Sequence, residues 1–173
     1  MKRIFALCGS TKAASINLIY ISAVTKILGS GYEVTTLSSI ADLPHFNPDL
    51  DNERPPQQVE ELRKKISQAD GILICTPEYA MGLPGSLKNA LDWTVSSSSF
   101  SKKPVFALVA SSQGEKAHQS LIDILNVIEA KVHSLLIPFP KTKINVEGKI
   151  TDSQTSSELK TRLEQFVASL SNG

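Results

Sequence analysis

Residues 71–93 read GILICTPEYAMGLPGSLKNALDW and contain an apolar run, a short loop and a helical pattern in direct succession. The run at 71–75 is apolar throughout, which is typical of a parallel strand buried on both faces. The loop that follows holds two prolines and two glycines. These residues fix some backbone torsions and free others, so N–H and C=O groups can point outward at a flat ligand. The stretch predicts a strand with a ligand-binding loop at its carboxyl end; an ordinary strand-to-helix connection is the alternative.

The same alternation of apolar runs and helical patterns continues along the chain. Strands are predicted at residues 4–7, 33–37, 72–75, 105–110 and 132–137. Helical patterns lie between them, and such repeats build a parallel sheet. The first, third and fourth strands are unbroken apolar runs, whereas the second and fifth are more polar and are expected at the edges. The prediction is a single α/β domain over residues 1–173, with five parallel strands in the order 2-1-3-4-5 and helices on both faces.

A second candidate binding loop, CGSTKAASIN at residues 8–17, follows the first predicted strand. It carries the Ser10 and Ser15 hydroxyls, the Lys12 ammonium and the Asn17 amide just before a helical pattern begins. A helix start offers free N–H groups and the positive end of its dipole, so these groups together suit one phosphate. A simpler interpretation, compatible with the first, is that Ser15 caps the helix. The apolar stripe expected to face the core comprises Ile16, Ile19, Tyr20, Ala23 and Ile27.

Other phosphate and nucleotide sites do not fit this loop. The P-loop pattern GxxxxGK[ST] and the dinucleotide pattern GxGxxG are absent from the chain. A tyrosine-phosphatase loop would use Cys8 as its nucleophile and would place an arginine where this chain has Ala14. Without that guanidinium, neither the thiolate nor the transition-state charge is stabilised, which disfavours phosphatase chemistry.

Together the two loops resemble a known family. The loop GSTKAASIN at 9–17 and the block PEYAMGLPGSLKNALDW at 77–93 are similar to the motifs of the NADPH-dependent FMN reductases, which include quinone, azo-dye and chromate reductases. The resemblance implies a flavodoxin-like three-layer sandwich that binds FMN and NADPH or NADH. It further implies hydride transfer from NAD(P)H to FMN, and from there to a small-molecule acceptor: a quinone, an azo compound, a metal oxyanion or free flavin.

The resemblance also assigns the phosphate end of the cofactor site. In the family the first loop holds the FMN phosphate, which carries over to Ser10, Lys12, Ser15 and Asn17. Lys12 stands where arginine is common, so two-pronged recognition of the phosphate is expected to be weaker.

The ring end of the site is assigned in the same way. In the family the second loop holds the isoalloxazine ring, which carries over to Pro77, Glu78, Tyr79, Ala80 and Gly82. From their position after the fourth strand, Ser112 and Gly114 are expected to close over the other side of the flavin. The flavin carries the chemistry, so no residue is assigned a catalytic role. Glu78 is expected to brace its loop, because a carboxylate beside a negatively charged flavin is unfavourable.

Composition limits the other classes of function. The chain has 173 residues, 41% of them hydrophobic, and a net charge of +1, which gives no reason to expect nucleic acid or an acidic membrane as a partner. No apolar segment approaches the roughly 20 residues needed to cross a bilayer, and a cytoplasmic location is expected. No Cys/His spacing indicates a metal site. Cys8 and Cys75 each end a predicted central strand, which would place them as a close pair in the sheet; the favoured interpretation is that they are only two small buried apolar residues.

The resemblance implies a homodimer or a tetramer. Four apolar residues in or beside loops of one edge are expected to form an exposed patch that favours association. They are Phe46, Leu83, Trp93 and Phe100. A flavodoxin-type electron carrier is one alternative function, but it would show an acidic docking surface, whereas the chain has 17 acidic and 18 basic residues. A non-catalytic domain with the same fold remains a second alternative.

Overall fold

Five parallel strands form a single sheet in the order β2-β1-β3-β4-β5. The computed structural model describes residues 1–37 and 39–170; Ser38 and residues 171–173, which the predicted domain includes, lie outside the described residues. The strands are β1 (Lys2–Cys8), β2 (Tyr32–Thr36), β3 (Gly71–Thr76), β4 (Pro104–Ser111) and β5 (Lys131–Pro138). The predicted strand order is confirmed, and four of the strands extend one or two residues beyond their predicted ends, whereas β2 lies one residue earlier.

Five α-helices cover the two faces of this sheet. They are α1 (Ile16–Leu28), α2 (Gln57–Gln68), α3 (Gly85–Asp92), α4 (Glu115–Val127) and α5 (Ser153–Ser169). Side chains of α1 and α5 share one core with alternate residues of β1, β3 and β4, and side chains of α2, α3 and α4 share the other. This confirms the expected flavodoxin-like three-layer sandwich. None of the helices in the described ranges is both long and apolar enough to span a lipid bilayer.

Burial along the strands follows the predicted pattern. All six residues of β3 are buried, whereas β2 contains no fully buried residue. Parallel strands with helices on both faces exclude water from both sides, which is why the central strands are apolar without alternation. Because β1, β3 and β4 are adjacent and parallel, their carboxyl ends lie side by side at one edge of the sheet, and the buried strands hold them in place.

The buried stripe of α1 includes the expected Tyr20 and Ala23, with Ile16 and Ile19 partly buried against the same core, but it departs from the expected one at Ile27. Asn17, Tyr20, Ile21 and Val24 are buried, whereas Ile27 is exposed. The polar Asn17 faces the sheet because its amide is hydrogen-bonded there, and this sets the rotation of the whole helix. Residues at a spacing of three and four from Asn17 then face the core.

The connection between β2 and α2 is fixed to α3. Asn89 Nδ2 donates a hydrogen bond of 2.9 Å to the Pro44 carbonyl, and Asn89 Oδ1 accepts one of 2.7 Å from the Phe46 N–H. Trp93 Nε1 donates to the same Pro44 carbonyl at 2.8 Å, and its ring meets that of Phe46 edge to face at 5.0 Å. The connection between β2 and α2 thus fixes the position of α3, the helix that follows residues 77–84.

The expected exposed patch is wrong for two of its four residues. Trp93 and Phe100 are both 0% exposed, because they lie in the core between the sheet and α2, α3 and α4. Leu83 packs at the margin of that core, and Phe46 is 38% exposed. Further large apolar side chains are exposed in the connections after β3 and β5, namely Tyr79, Met81 and Phe139.

Candidate functional site

Three loops follow the carboxyl ends of the central strands, and we name them by those strands. The β1 loop is residues 9–15, the β3 loop is residues 77–84 and the β4 loop is residues 112–114. Cys8 and Cys75 are paired in register across β1 and β3, and the Gly9 N–H donates a hydrogen bond of 2.8 Å to the Cys75 carbonyl. The β1 and β3 loops therefore start side by side.

Gly9 allows this close approach and was not singled out from the sequence. A Cβ at Gly9 would fall against Oγ1 of Thr76 and lie 3.0 Å from Cδ2 of Leu87. No side chain fits between the two loops at this point. A glycine directly after a buried strand is the sequence signal that indicates such a contact.

Asn17 supports the β1 loop from below. It is buried, its Nδ2 donates to the Ala110 carbonyl at 3.3 Å, and the same nitrogen lies 3.5 Å from Cys75 Sγ. Ser15 is the N-cap of α1: its Oγ accepts from the Asn17 N–H at 3.2 Å and donates to Asn17 Oδ1 at 3.2 Å. The Asn17 side chain, expected to bind phosphate, thus ties α1 to β3 and β4.

The exposed part of the β1 loop presents unpaired backbone N–H groups. Within the part of the chain that the structure describes, the amides of Thr11, Ala13 and Ala14 donate to no protein acceptor. The Lys12 amide donates to Ser10 Oγ at 3.3 Å, and the Lys12 side chain is exposed. Open amides beside a helix N-terminus and a lysine together suit an anion such as a phosphate.

The β3 loop contains a tight turn in a strained conformation. The N–H and C=O groups of Tyr79 and Gly82 exchange two hydrogen bonds of 2.9 and 3.0 Å. Between them, Ala80 has φ 49° and Met81 has φ 59°, the left-handed region that type I′ turns require and that asparagine and glycine usually occupy. Each such non-glycine residue costs about 1 kcal/mol or more, and strain of this kind concentrates at ligand sites.

Glu78 is directed toward α4. Its Oε2 accepts a hydrogen bond of 2.9 Å from the Ala117 N–H in the first turn of that helix. The N-cap of α4 is Gly114, which has no side chain to serve as a cap. The Glu78 carboxylate of the β3 loop therefore caps α4, the helix that follows the β4 loop. Pro77, which precedes Glu78 in the β3 loop, is half-buried.

Tyr79 connects the phosphate and ring ends of the candidate site. Its hydroxyl lies 3.4 Å from Ser10 Oγ, across 69 positions of the chain. Ser10 is 9% exposed and Tyr79 is 50% exposed. The residues expected at the two ends of one cofactor are thus in contact.

The β4 loop contributes an exposed serine and a buried glycine. Ser112 is exposed, whereas Gly114 has φ 115° and a Cβ there would lie 2.7 Å from Leu136 Cδ1. Gly114, which is expected to close over the other side of the flavin together with Ser112, is buried and packs against β5. Beside this loop, Phe139 is 62% exposed at φ 51°, with its N–H bonded to the Ser111 carbonyl at 3.0 Å.

The two thiols beneath the loops are poor nucleophiles. Burial raises the pKa of the Cys8 thiol and raises the pKa of Cys75 to about 12. The thiolate is the reactive form, so both thiols react slowly; Cys75 is buried as predicted, whereas Cys8 is only partly buried. No group of three or more His, Cys, Asp or Glu side chains within residues 1–37 and 39–170 is placed to hold a metal ion.

A comparison with protein families identifies this architecture. The family described as NADPH-dependent FMN reductase matches residues 2–138. The chain belongs to this family. The match runs from the start of β1 to the end of β5 and includes the β1, β3 and β4 loops. The family description names FMN and NADPH, the cofactors that the resemblance implied.

Individual relatives of this FMN reductase family member are named as reductases. A quinone reductase of Escherichia coli is 42% identical over 92 residues, 53% of this chain and 49% of that protein, so the match spans about half of that relative. A subunit of a Vibrio ruber NADH:(hydroxy)cinnamate reductase is 30% identical over 94% of this chain and 84% of that protein. The flavoenzyme NAD(P)H:(acceptor) oxidoreductase of Paracoccus denitrificans superimposes with a TM-score of 0.80 at 27% identity, over 99% of this chain and 98% of that one.

Proposed function

We propose that the protein is an FMN-dependent NAD(P)H oxidoreductase that passes electrons to small-molecule acceptors. The observation that carries the proposal is the meeting of the β1 and β3 loops, which are in contact through Ser10 and Tyr79. The first presents open amides and a lysine, and the second presents a rigid turn with exposed backbone. An elongated cofactor with an anion at one end and a flat ring at the other fits this arrangement.

The β1 loop would bind the phosphate of FMN. The amides of Thr11, Ala13 and Ala14 and the hydroxyl of Ser10 offer short hydrogen bonds, and Lys12 adds a positive charge. In this proposal Asn17 acts indirectly: it fixes the start of α1, so the donors above it keep their orientation.

The β3 and β4 loops would hold the flavin ring. In this proposal Pro77, Tyr79, Ala80 and Gly82 lie on one side of the ring and Ser112 lies on the other. When bound, FMN supplies the hydride- and electron-transfer chemistry. The chain has to orient the ring and leave one face open. Apart from its two chain neighbours, a Cβ at Gly82 would lie no closer than 3.9 Å to any atom of the described residues, so the turn is not crowded there.

The electron acceptors proposed are quinones, azo compounds, metal oxyanions and free flavin. A quinone reductase and an NADH:(hydroxy)cinnamate reductase subunit among the relatives support planar conjugated acceptors. The exposed Tyr79 and Met81 side chains agree with these, since aromatic rings and thioethers pack well on flat apolar ligands.

Two further parts of the proposal concern assembly and location. We propose a homodimer, which in turn can form a tetramer, and the exposed Tyr79, Met81 and Phe139 offer apolar surface for association. We propose the cytoplasm as the location. Cys8 and Cys75 are neighbours in register and remain free thiols, which suits a reducing compartment.

An absorbance spectrum together with an NADPH oxidation assay tests the function. The purified protein, alone or after addition of FMN, should be yellow, and NADPH or NADH should bleach it until a quinone restores the colour. Added FMN at 100 times its Kd should also raise stability by about 2.7 kcal/mol. Protein that gains no stability from FMN would contradict the proposal. Flavin that only a separate reductase protein can reduce would favour an electron carrier.

A further inference from the structure

We infer that Glu78 is the positioning residue that sets the separation between the β3 loop and the β4 loop. The inference rests on the function proposed above, in which these loops flank the flavin ring. It starts from the hydrogen bond of 2.9 Å that Glu78 Oε2 accepts from the Ala117 N–H. The carboxylate joins the two sides of the ring site instead of contacting the ring.

The Glu78 carboxylate takes the place of an N-cap side chain, which α4 lacks. The first N–H groups of a helix lack partners inside the helix, and the N-cap side chain usually accepts from one of them. Gly114 occupies that position in α4 and makes no side-chain cap. The acceptor comes instead from Glu78, 39 positions earlier in the chain. The start of α4 therefore depends on the β3 loop.

Both ends of the contact are locally rigid. On one side, Glu78 directly precedes the turn closed by two hydrogen bonds between Tyr79 and Gly82. On the other side, Gly114 is packed so tightly that a Cβ would lie 2.7 Å from Leu136 Cδ1. Each loop is held by contacts of its own, and β3 and β4 are paired directly, so the hydrogen bond adds a constraint on the separation of the loops beyond the end of that pairing.

The direction of the carboxylate also matters for the ring. A negative charge is favourable at a helix N-terminus, where the dipole is positive. Glu78 places its charge there, and so the same group does not oppose the gain of electrons by a neighbouring flavin. The acceptor oxygen is the feature that the contact needs, and an amide oxygen in the same place would provide it.

Three variants separate positioning from charge and from helix stability. Glu78→Ala removes the acceptor, and Glu78→Gln keeps an oxygen of the same reach without the charge. Lys116→Gly is the matched control, because this exposed residue lies in the same first turn of α4 and glycine weakens a helix without touching the β3 loop. Each full-length apoprotein is titrated with FMN and with riboflavin, which lacks the phosphate.

We expect Glu78→Ala to weaken the binding of FMN and riboflavin by the same factor, about tenfold, because the loss of one hydrogen bond to a charged acceptor acts at the ring end. Glu78→Gln should stay within about threefold of the unmodified protein, since an amide oxygen still accepts the bond. Lys116→Gly should leave both dissociation constants unchanged.

Amide hydrogen exchange of the flavin-free proteins gives a readout that needs no cofactor. Glu78→Ala should speed exchange both in the first turn of α4 and at Tyr79 and Gly82, whereas Lys116→Gly should affect only α4. Unchanged flavin binding in Glu78→Ala, equal losses in Glu78→Ala and Lys116→Gly, or equal losses in Glu78→Ala and Glu78→Gln would each overturn the inference. Failure of the unmodified protein to bind FMN would overturn the proposed function instead, and the exchange data would still decide whether the two loops are tied.

Discussion

The hydroxyl of Tyr79 lies 3.4 Å from the hydroxyl of Ser10, and this contact joins the two loops that the sequence separates by 69 positions. Ser10 also accepts from the Lys12 N–H at 3.3 Å. One buried serine therefore holds both the exposed arm of the β1 loop and the aromatic ring of the β3 loop. A phosphate bound to the β1 loop would compete with Tyr79 for this hydroxyl.

Removing each hydroxyl in turn shows which of them binds the cofactor. Tyr79→Phe should leave the dissociation constant of FMN within about threefold, because Ser10 remains available to the phosphate. Ser10→Ala should weaken FMN binding by about tenfold, the loss expected for one hydrogen bond to a charged group. Isothermal titration of the apoproteins measures both values. Equal weakening in the two variants would show that the tyrosine hydroxyl itself contacts the cofactor.

Lys12 is expected to provide the positive charge at the phosphate end. Lys12→Ala should weaken FMN binding by one to two decades, because a charge-assisted contact contributes roughly 1.5–3 kcal/mol. Lys12→Arg should bind FMN at least as tightly as the unmodified protein, since a guanidinium can form two parallel bonds to a phosphate. Riboflavin serves as the control ligand and should bind all three proteins alike. An unchanged constant for FMN in Lys12→Ala would place the phosphate elsewhere.

The strained turn predicts a stabilising substitution. Ala80→Gly should raise the free energy of unfolding by about 0.5–1 kcal/mol, because glycine adopts the left-handed conformation of residue 80 without strain. Ala168→Gly is the matched control: it lies exposed in α5, where glycine should lower stability by about 0.5–1 kcal/mol. Urea unfolding of the apoproteins compares them. A loss of stability in both variants would mean that the turn is not strained.

The ion pair between Asp51 and Arg63 predicts how stability changes with pH. Their side chains are mostly buried, Nη2 of Arg63 lies 2.6 Å from Oδ1 of Asp51, and the Arg63 hydrogen bond holds the pKa of Asp51 below its usual value. Because the pKa of Asp51 is lower in the folded state, its ionised carboxylate stabilises the fold fully above about pH 4, the pKa of an aspartate in the unfolded chain. This contribution to the free energy of unfolding is lost as the pH falls through the pKa of Asp51 in the folded protein.

Asp51→Asn should therefore be less stable than the unmodified protein by about 1.5 kcal/mol at pH 7. The difference should shrink as the pH is lowered below about 4. Unfolding by urea at a series of pH values measures it. A difference that stays constant down to pH 3 would exclude the ionised carboxylate as its cause.

The sequence predicts the sheet well because periodicity reports burial. Unbroken apolar runs distinguish the central strands from the edges, and the order of the strands follows from parallel connections. The positions of the two candidate loops at the ends of β1 and β3 are also predicted, since proline, glycine and hydroxyl residues mark them locally. Apolar character alone misleads for Trp93 and Phe100, because a large apolar residue in a loop can turn inward and become core.

Contacts between distant residues of the site are not predictable from one sequence. Nothing near Ala117 indicates that its N–H is paired with Glu78, and nothing near Pro44 shows that Asn89 binds it. The left-handed conformation of Met81 is also not predictable from the sequence, because methionine rarely adopts it and the turn has no Asn-Gly pair that would indicate it. These features arise from tertiary packing, which overrides local preference.

The raised pKa values of the two thiols make the protein a convenient background for site-specific labelling. Maleimides and spin labels react with thiolates, and burial raises the pKa of both Cys8 and Cys75, so both react more slowly than an exposed cysteine. A cysteine introduced at Val146, which is 87% exposed, would then be labelled first. Distances between probes on two copies would report directly on how the chains associate in solution.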